Sequence, residues 1–248
     1  FWMECYQVPG FQSDMPDYVN KVAGIAGNYE FPYPILFWTA RLSAWLIGAK
    51  AAMAVTTALF NLAAVIITKY YMNREIRKNS HYETLSHKKQ VMTDIVVTLL
   101  VFALFLLSNL YSPKNTAFFG FDYAYRCMGI YTPNPFWNAT YLATRPFAII
   151  CFFETVKVLS EYQRDFQWKN CTLFAVSLLL TTMTKPSFTM VVVPLIGLIL
   201  LVQLIVSRGK SSRNTFRLCL TMIPTGIALL YQFSGIFTGT NAMGEETG

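Results

Sequence analysis

Two carboxylates three residues apart, Asp14 and Asp17, and two cations far along the chain, Arg145 and Lys185, are the groups in this sequence best suited to chemistry. Asp14 and Asp17 flank Met15-Pro16, and proline favours the first turn of a helix, which would place both carboxylates on one face. Such a pair can take a proton from a hydroxyl or hold a divalent cation. Capping accounts for the same residues: Ser13 or Asp14 at the N-cap, with Asp17 near the positive end of the helix dipole. Arg145 and Lys185 suit a phosphate, Arg through a bidentate fork and Lys as a point charge. Snorkelling to lipid headgroups is the alternative. Thr181, Thr182, Thr184, Ser187 and Thr189 place hydroxyls around Lys185, or else satisfy backbone carbonyls at a helix break.

Between these groups, residues 112–140 form a segment with Asp122, Arg126 and a run that includes Asn134, Trp137, Asn138 and Tyr141 at its end. Its aromatic rings and amides offer stacking faces and hydrogen-bond donors, as sugar-binding loops do, and as interfacial aromatic belts do. Asn138-Ala139-Thr140 also matches the three-residue N-glycosylation acceptor. The five cysteines have no metal-ligand spacing. Cys151, Cys171 and Cys219 suit packing as small apolar groups, while Cys5 and Cys127 fall where a disulfide is chemically permitted. No metal site and no cofactor follow from the sequence, although a divalent cation is compatible with the Asp14 and Asp17 pair.

These groups need positioning by long apolar runs. Residues 51–71, 93–111, 141–160, 170–184, 186–207 and 218–236 hold almost no charge, and about 20 apolar residues of helix cross the hydrocarbon of a bilayer. The chain is 54% hydrophobic and 13% charged with mean hydropathy +0.39, against about 25% charged residues in soluble domains. An all-α, polytopic membrane protein of about six transmembrane helices is therefore expected. Residues 170–207 must be broken, since about 38 helical residues would extend roughly 57 Å. Lys185-Pro186-Ser187 is the natural break, because proline lacks the amide donor and disfavours helix in the residue before it. The stretch 34–47, apolar at helical spacing around Arg41, reads as an amphipathic helix in the membrane interface with Trp38 and Trp45 at headgroup level. A transmembrane reading of that stretch would invert the topology below.

Thirteen of the twenty Lys and Arg fall in the loops 69–89, 157–169 and 208–217, against four acidic residues there. The positive-inside rule makes that side cytoplasmic. The other side carries Lys21, Arg41, Lys50, Lys114, Arg126, Arg145 and Lys185, balanced by seven carboxylates. The net charge of +7 thus reflects contact with anionic lipid rather than with nucleic acid. The domain plan is residues 1–50 as a non-cytoplasmic segment with an interfacial helix, 51–237 as a transmembrane bundle with an outer loop at 112–140, and 238–248 as the start of a further non-cytoplasmic segment. Residues 1–50 lack a signal-peptide pattern, so a preceding transmembrane helix, and with it a longer protein, is expected. Glu154 is the carboxylate nearest mid-membrane, with Lys157 three residues on as the expected partner. Asn61, Asn109, Gln203 and Gln232 suit interhelical hydrogen bonds.

The order of an outer segment with an early Asp, an interfacial helix, a basic loop, a second outer loop and a broken helix pair resembles membrane glycosyltransferases of the GT-C type. The blocks SDMPDYV, YEFPYPILF, TPNPFWNATYLATRPFAI and TTMTKPSF are similar to those of a group of largely uncharacterised bacterial multi-pass proteins, and the likeness covers most of residues 11–236. That pattern has His where Trp137 stands here, so no acid, base or ligand role is carried to this position. The resemblance implies a polyprenyl-phosphate-linked sugar as donor partner in the lipid bilayer, a cell-envelope acceptor, transfer at the non-cytoplasmic face of the cell membrane, and Asp14 as base or metal ligand. Transport of a lipid-linked sugar, or a non-catalytic part in surface-polysaccharide assembly, are the competing expectations.

Overall fold

The computed structural model describes residues 2–7, 14–25, 31–106 and 138–237. All regular structure among them is helical: α1 (Trp2–Cys5), α2 (Met15–Ala23), α3 (Pro34–Ile47), α4 (Ala49–Arg77), α5 (Ser80–Glu83), α6 (His87–Leu106), α7 (Ala139–Glu161), α8 (Trp168–Thr184), α9 (Ser187–Val206) and α10 (Ser212–Phe237). Three stretches among the described residues are long and apolar enough to cross a membrane, Ala49–Arg77, Ser187–Val206 and Ser212–Ser234. By comparison, α7 carries Arg145, Glu154 and Lys157, and α8 has 17 residues.

The long helices lie in the order α6, α4, α7, α8, α10, with α9 against α8 and α10. Small side chains set the closest approaches: Ala51, Ala52 and Ala54 on α4 and Ala139 and Ala143 on α7 are all buried, and small residues let helix backbones approach in a bilayer. Helices α1, α2 and α3 pack on the start of α4. There Met15, Tyr18, Val22, Leu36, Phe37 and Met53 form one apolar cluster with Ala139 and Ala143. A second cluster, built from Cys151, Tyr162, Phe174, Leu178, Ile196 and Leu218, joins α7 to α8, α9 and α10. Val97, Val101 and Phe105 pack α6 on Ala64 of α4.

Outward faces are apolar as well. Met190, Val191, Leu198 and Val206 of α9 and Ile227 and Leu230 of α10 are exposed, and water would penalise continuous apolar faces of that extent. Helix α3 differs from the amphipathic expectation. Leu36, Phe37 and Ala40 are buried, yet Trp38, Leu42 and Trp45 on the opposite side are 57%, 75% and 78% exposed. The helix is apolar nearly all round because one side packs on α2, α4 and α8 and the other is suited to lipid. It turns into α4 through Gly48, whose φ of +80° and ψ of 154° lie in a region essentially reserved for glycine.

Helix α8 ends at Lys185, which is extended at φ −166° and ψ 127°, and Pro186 precedes the first residue of α9. The threonines here bond to their own helix: Thr181, Thr182 and Thr184 donate to the carbonyls of Ser177, Leu178 and Leu180. Thr182 and Thr189 also meet at 2.7 Å across the break. These hydroxyls therefore satisfy carbonyls of α8 at the break, and the Thr182–Thr189 contact ties α8 to α9. Cys151 and Cys171 are buried, whereas Cys219 is exposed on α10. Cys127, and with it the Cys5–Cys127 pairing, lies outside the described residues, as does Asn109.

Candidate functional site at the Asp14 end of the bundle

Three chain breaks, each enforced by local sequence, meet at one place. Asp14 stands at the N-cap position of α2, ahead of Pro16, but its side chain makes no capping hydrogen bond. Its Oδ2 instead accepts from Asn138 Nδ2 at 3.1 Å, across 124 residues of sequence. Asn138 is 5% exposed and caps α7: its Oδ1 accepts from the amides of Thr140 at 3.1 Å and Tyr141 at 3.4 Å, and from Thr140 Oγ1 at 2.6 Å. Capping thus orients the amide so that its nitrogen faces Asp14. Buried and bonded in this way, Asn138 is closed to modification at its Asn-Ala-Thr motif.

Lys185, released from α8 by the proline that follows it, completes the group. Its Nζ donates to Thr140 Oγ1 at 2.9 Å and lies 3.7 Å from the centre of the Tyr141 ring, a cation–π contact. A continuous polar chain therefore runs from Asp14 through Asn138 and Thr140 to Lys185. Burial pushes the Lys185 ammonium down to about 8, against the opposing pull of the Asp14 charge. Tyr18 and Tyr33 border the carboxylate. The Tyr18 hydroxyl interacts with the side chains of Thr140 and Asn138, and burial, followed by the Asp14 charge, raises its pKa strongly. The same causes push Tyr33 up to about 12, with Tyr141 adding to them. Both phenols stay protonated at neutral pH and can act as donors.

Of the residues singled out from sequence, the structure brings Asp14, Asn138, Tyr141 and Lys185 together. Asp17 lies in the first turn of α2, partly buried. Arg145 is directed elsewhere, its NH1 donating to Asn61 on α4 at 3.1 Å and its guanidinium lying over Phe105 of α6. It sits five residues, about 7 Å of helix, further along α7 than Thr140. Asp122, Arg126, Asn134 and Trp137 lie outside the described residues. Sequence reasoning missed Thr140, Tyr18 and Tyr33. Tyr18, four residues after Asp14, shares a helix face with it, a legible signal; Thr140 stands out in the sequence only as part of a modification motif.

The buried carboxylate at the other end is partnered differently from the local pairing expected. Glu154, 2% exposed, accepts from Tyr71 OH at 3.1 Å and lies 3.9 Å from Arg74, both on α4. Lys157 turns away and donates to Asn170 at 3.1 Å, whose own amide donates to Glu161 at 3.2 Å. Helix geometry allowed the i,i+3 pair, but α4 supplies a hydroxyl and a guanidinium from the side that Glu154 faces. Gln203 accepts from Tyr162 OH, and Gln232 donates to the Thr182 carbonyl, each joining two parts of the bundle.

The arrangement at the Asp14 end offers a proton acceptor and a cation of modest proton affinity within one polar chain, with two protonated phenols beside it. No group of three or more His, Cys, Asp or Glu side chains suited to a metal occurs among the described residues. Comparison with family models, curated proteins and solved structures finds no match to this chain.

Proposed function

We propose that this protein is a membrane glycosyltransferase of GT-C type, moving a sugar from a polyprenyl-phosphate donor to a cell-envelope acceptor on the non-cytoplasmic side. The observation that carries the reading is the polar chain from Asp14 to Lys185, which pairs a base with a phosphate ligand at one end of a helical bundle. In this reading six helices span the membrane, with 51–71, 93–111, 141–160, 170–184, 186–207 and 218–236 as their cores, and residues 1–50 lie on the non-cytoplasmic side. The basic loops face the cytoplasm.

Asp14 takes the proton of the acceptor hydroxyl as its oxygen attacks the anomeric carbon. The bond from that carbon to the phosphate oxygen breaks, and the polyprenyl phosphate leaves with the electron pair. Lys185 meets the charge that develops there, while Asn138 fixes the Asp14 carboxylate and Thr140 fixes the ammonium. Single inversion at the anomeric carbon follows from direct attack. Arg145 supports the α4–α7 packing near this site, and the Asp122, Arg126, Asn134 and Trp137 segment binds sugar.

Asp14→Asn tests the reading in membranes supplied with a labelled polyprenyl-phosphate sugar. Transfer should vanish while expression and helicity stay at the level of the unaltered protein; full transfer by a folded Asp14→Asn protein overturns it. Transport is the competing function. It would be favoured by cysteine substitutions around Glu154 that label from both sides of the membrane, whereas the hydrogen-bonded closure of Glu154 by α4 speaks for surface chemistry.

A further inference from the structure

At the end of the bundle away from Asp14, two turns meet. The α7–α8 turn, residues 162–167, packs on the start of α10: Asn214 Nδ2 donates to the Tyr162 carbonyl at 2.9 Å, and the Arg217 guanidinium lies 5.6 Å from the centre of the Phe166 ring. Tyr162 OH in turn donates to Gln203, near the end of α9, at 2.8 Å. Segments 161–169 and 208–217 are thereby tied into one surface. It carries Arg164, Lys169, Arg208, Lys210, Arg213 and Arg217 against Glu161 and Asp165, six positive charges against two negative. Among the described residues none of these six cations forms an ion pair. Both carboxylates accept from amides instead, Glu161 from Asn170 at 3.2 Å and Asp165 from Gln167 at 2.6 Å.

The neighbouring basic segment is built otherwise. At the end of α4, Arg74 and Lys78 pair with Glu75, and Arg77 pairs with Asp94. Counting charges along the sequence assigns both segments to one side; only the ion pairs separate them.

Backbone and surface chemistry add to the contrast. Arg208 has a φ of +52°, a left-handed conformation that glycine adopts freely and that disfavours a residue with a Cβ. An exposed arginine held there points to a use for its side chain. Apolar faces also run up to the cations: Val202, Ile205 and Val206 in the last turns of α9 are exposed, as are Phe216 and Leu220, which share a face of α10 with Arg213. Cations at the end of exposed apolar faces fit an amphiphile with an anionic headgroup. A soluble polyanion would leave those faces uncovered.

We propose that the α7–α8 and α9–α10 turns together bind an anionic phospholipid, its phosphate held by Arg208, Lys210 and Arg213 and its acyl chains lying along Val202, Ile205 and Phe216. The ion-paired end of α4 takes no part. The inference rests on the chain lying in a membrane and is independent of the transfer reaction.

Native mass spectrometry of the full chain, released from micelles doped with equal phosphatidylglycerol and phosphatidylcholine, tests it. The unaltered protein should retain phosphatidylglycerol in preference. Each cation near a lipid phosphate contributes about a fivefold preference, so Lys210→Gln with Arg213→Gln should reduce it by about 25-fold. Arg77→Gln with Lys78→Gln removes the same charge and should change it by less than about twofold, because those cations are already paired at the surface. Arg208→Gly suits the left-handed backbone, so its melting temperature in lipid-free detergent should not fall, while the preference drops about fivefold. Equal retention of the two lipids by the unaltered protein overturns the proposal. Equal losses in the two paired variants do so as well, since they would mark a diffuse field of net charge. Displacement by soluble glycerol phosphate would mark a phosphate site without a lipid and also overturns it, as does an Arg208→Gly protein that melts lower with its preference unchanged. Asp14→Asn should keep the preference, so a failed transferase reading leaves this result unaffected.

Discussion

The two ends of the bundle each place a carboxylate beside a tyrosine and a cation, yet they are built in opposite ways. At one end Asp14, Asn138 and Lys185 all sit at helix termini or breaks, where side chains from separate helices can converge. At the other, Tyr71, Arg74 and Glu154 lie within the continuous helices α4 and α7, and Glu154 is closed over. Tyr71 stacks on Phe153 at 4.6 Å, and Arg74 lies over the Tyr71 ring at 4.4 Å. Converging helix ends bring together groups from three distant segments, whereas facing helix sides use the same residue types as a clamp.

The sharpest way to break that contrast is to remove each carboxylate's charge. Asp14→Asn should lower transfer by about 100- to 10,000-fold, the usual contribution of a positioned base, while Glu154→Gln should leave the turnover of folded protein unchanged. Assays in membranes, normalised to folded protein, read both. If Glu154→Gln is the inactive variant, the functional and structural ends have been exchanged.

A pH titration separates them next. Lys185 has its pKa lowered to about 8 from 10.5, so the folded protein resists a proton that the unfolded chain keeps. The resulting cost in stability is present in full below about 8 and is relieved as pH rises from about 8 towards 10.5. Phosphate binding runs the other way: loss of this charge between pH 7 and 9 should weaken inorganic phosphate binding by about fivefold. Lys185→Met should flatten both profiles, measured by thermal unfolding and by phosphate competition.

Tyr71→Phe should destabilise the protein by about 1–3 kcal/mol, because Glu154 Oε2 already lacks a partner and Oε1 would lose its hydroxyl donor. Transfer per folded molecule should not change. The smallest effect distinguishes capping from site geometry at Asn138. Asn138→Ala should cost about 1 kcal/mol of stability through the lost cap, and Asn138→Ser should restore most of that stability without restoring the bond to Asp14. Activity reduced in both variants places the role of Asn138 in holding the carboxylate; activity rescued by Ser assigns it to the cap alone.

Several elements were legible in the sequence because they depend on local chemistry. Proline after Lys185 cannot donate its amide and disfavours helix in the residue before it, which favours a break there, although Pro146, Pro194 and Pro224 lie inside α7, α9 and α10. Asn138 ahead of an apolar run is a helix start, and the apolar character of α4, α9 and α10 follows from composition alone. Asp14 and Lys185 could be singled out by residue type.

Which partners those groups take was decided by tertiary structure. Asp14 could have capped its own helix, Lys157 could have paired with Glu154, and Arg145 could have joined Lys185; each was locally allowed, and in each case a group from another helix took the side chain instead. A hydrogen bond across 124 residues, such as Asn138 to Asp14, leaves no trace in spacing, since its geometry depends on how Ala139 and Ala143 let α7 approach the start of α4 and the helices packed upon it. Sequence by itself determined where helices stop and which charges lie at each end; packing chose which of those charges meet, because contact between helix ends depends on the approach of whole helices and not on any one residue's preference.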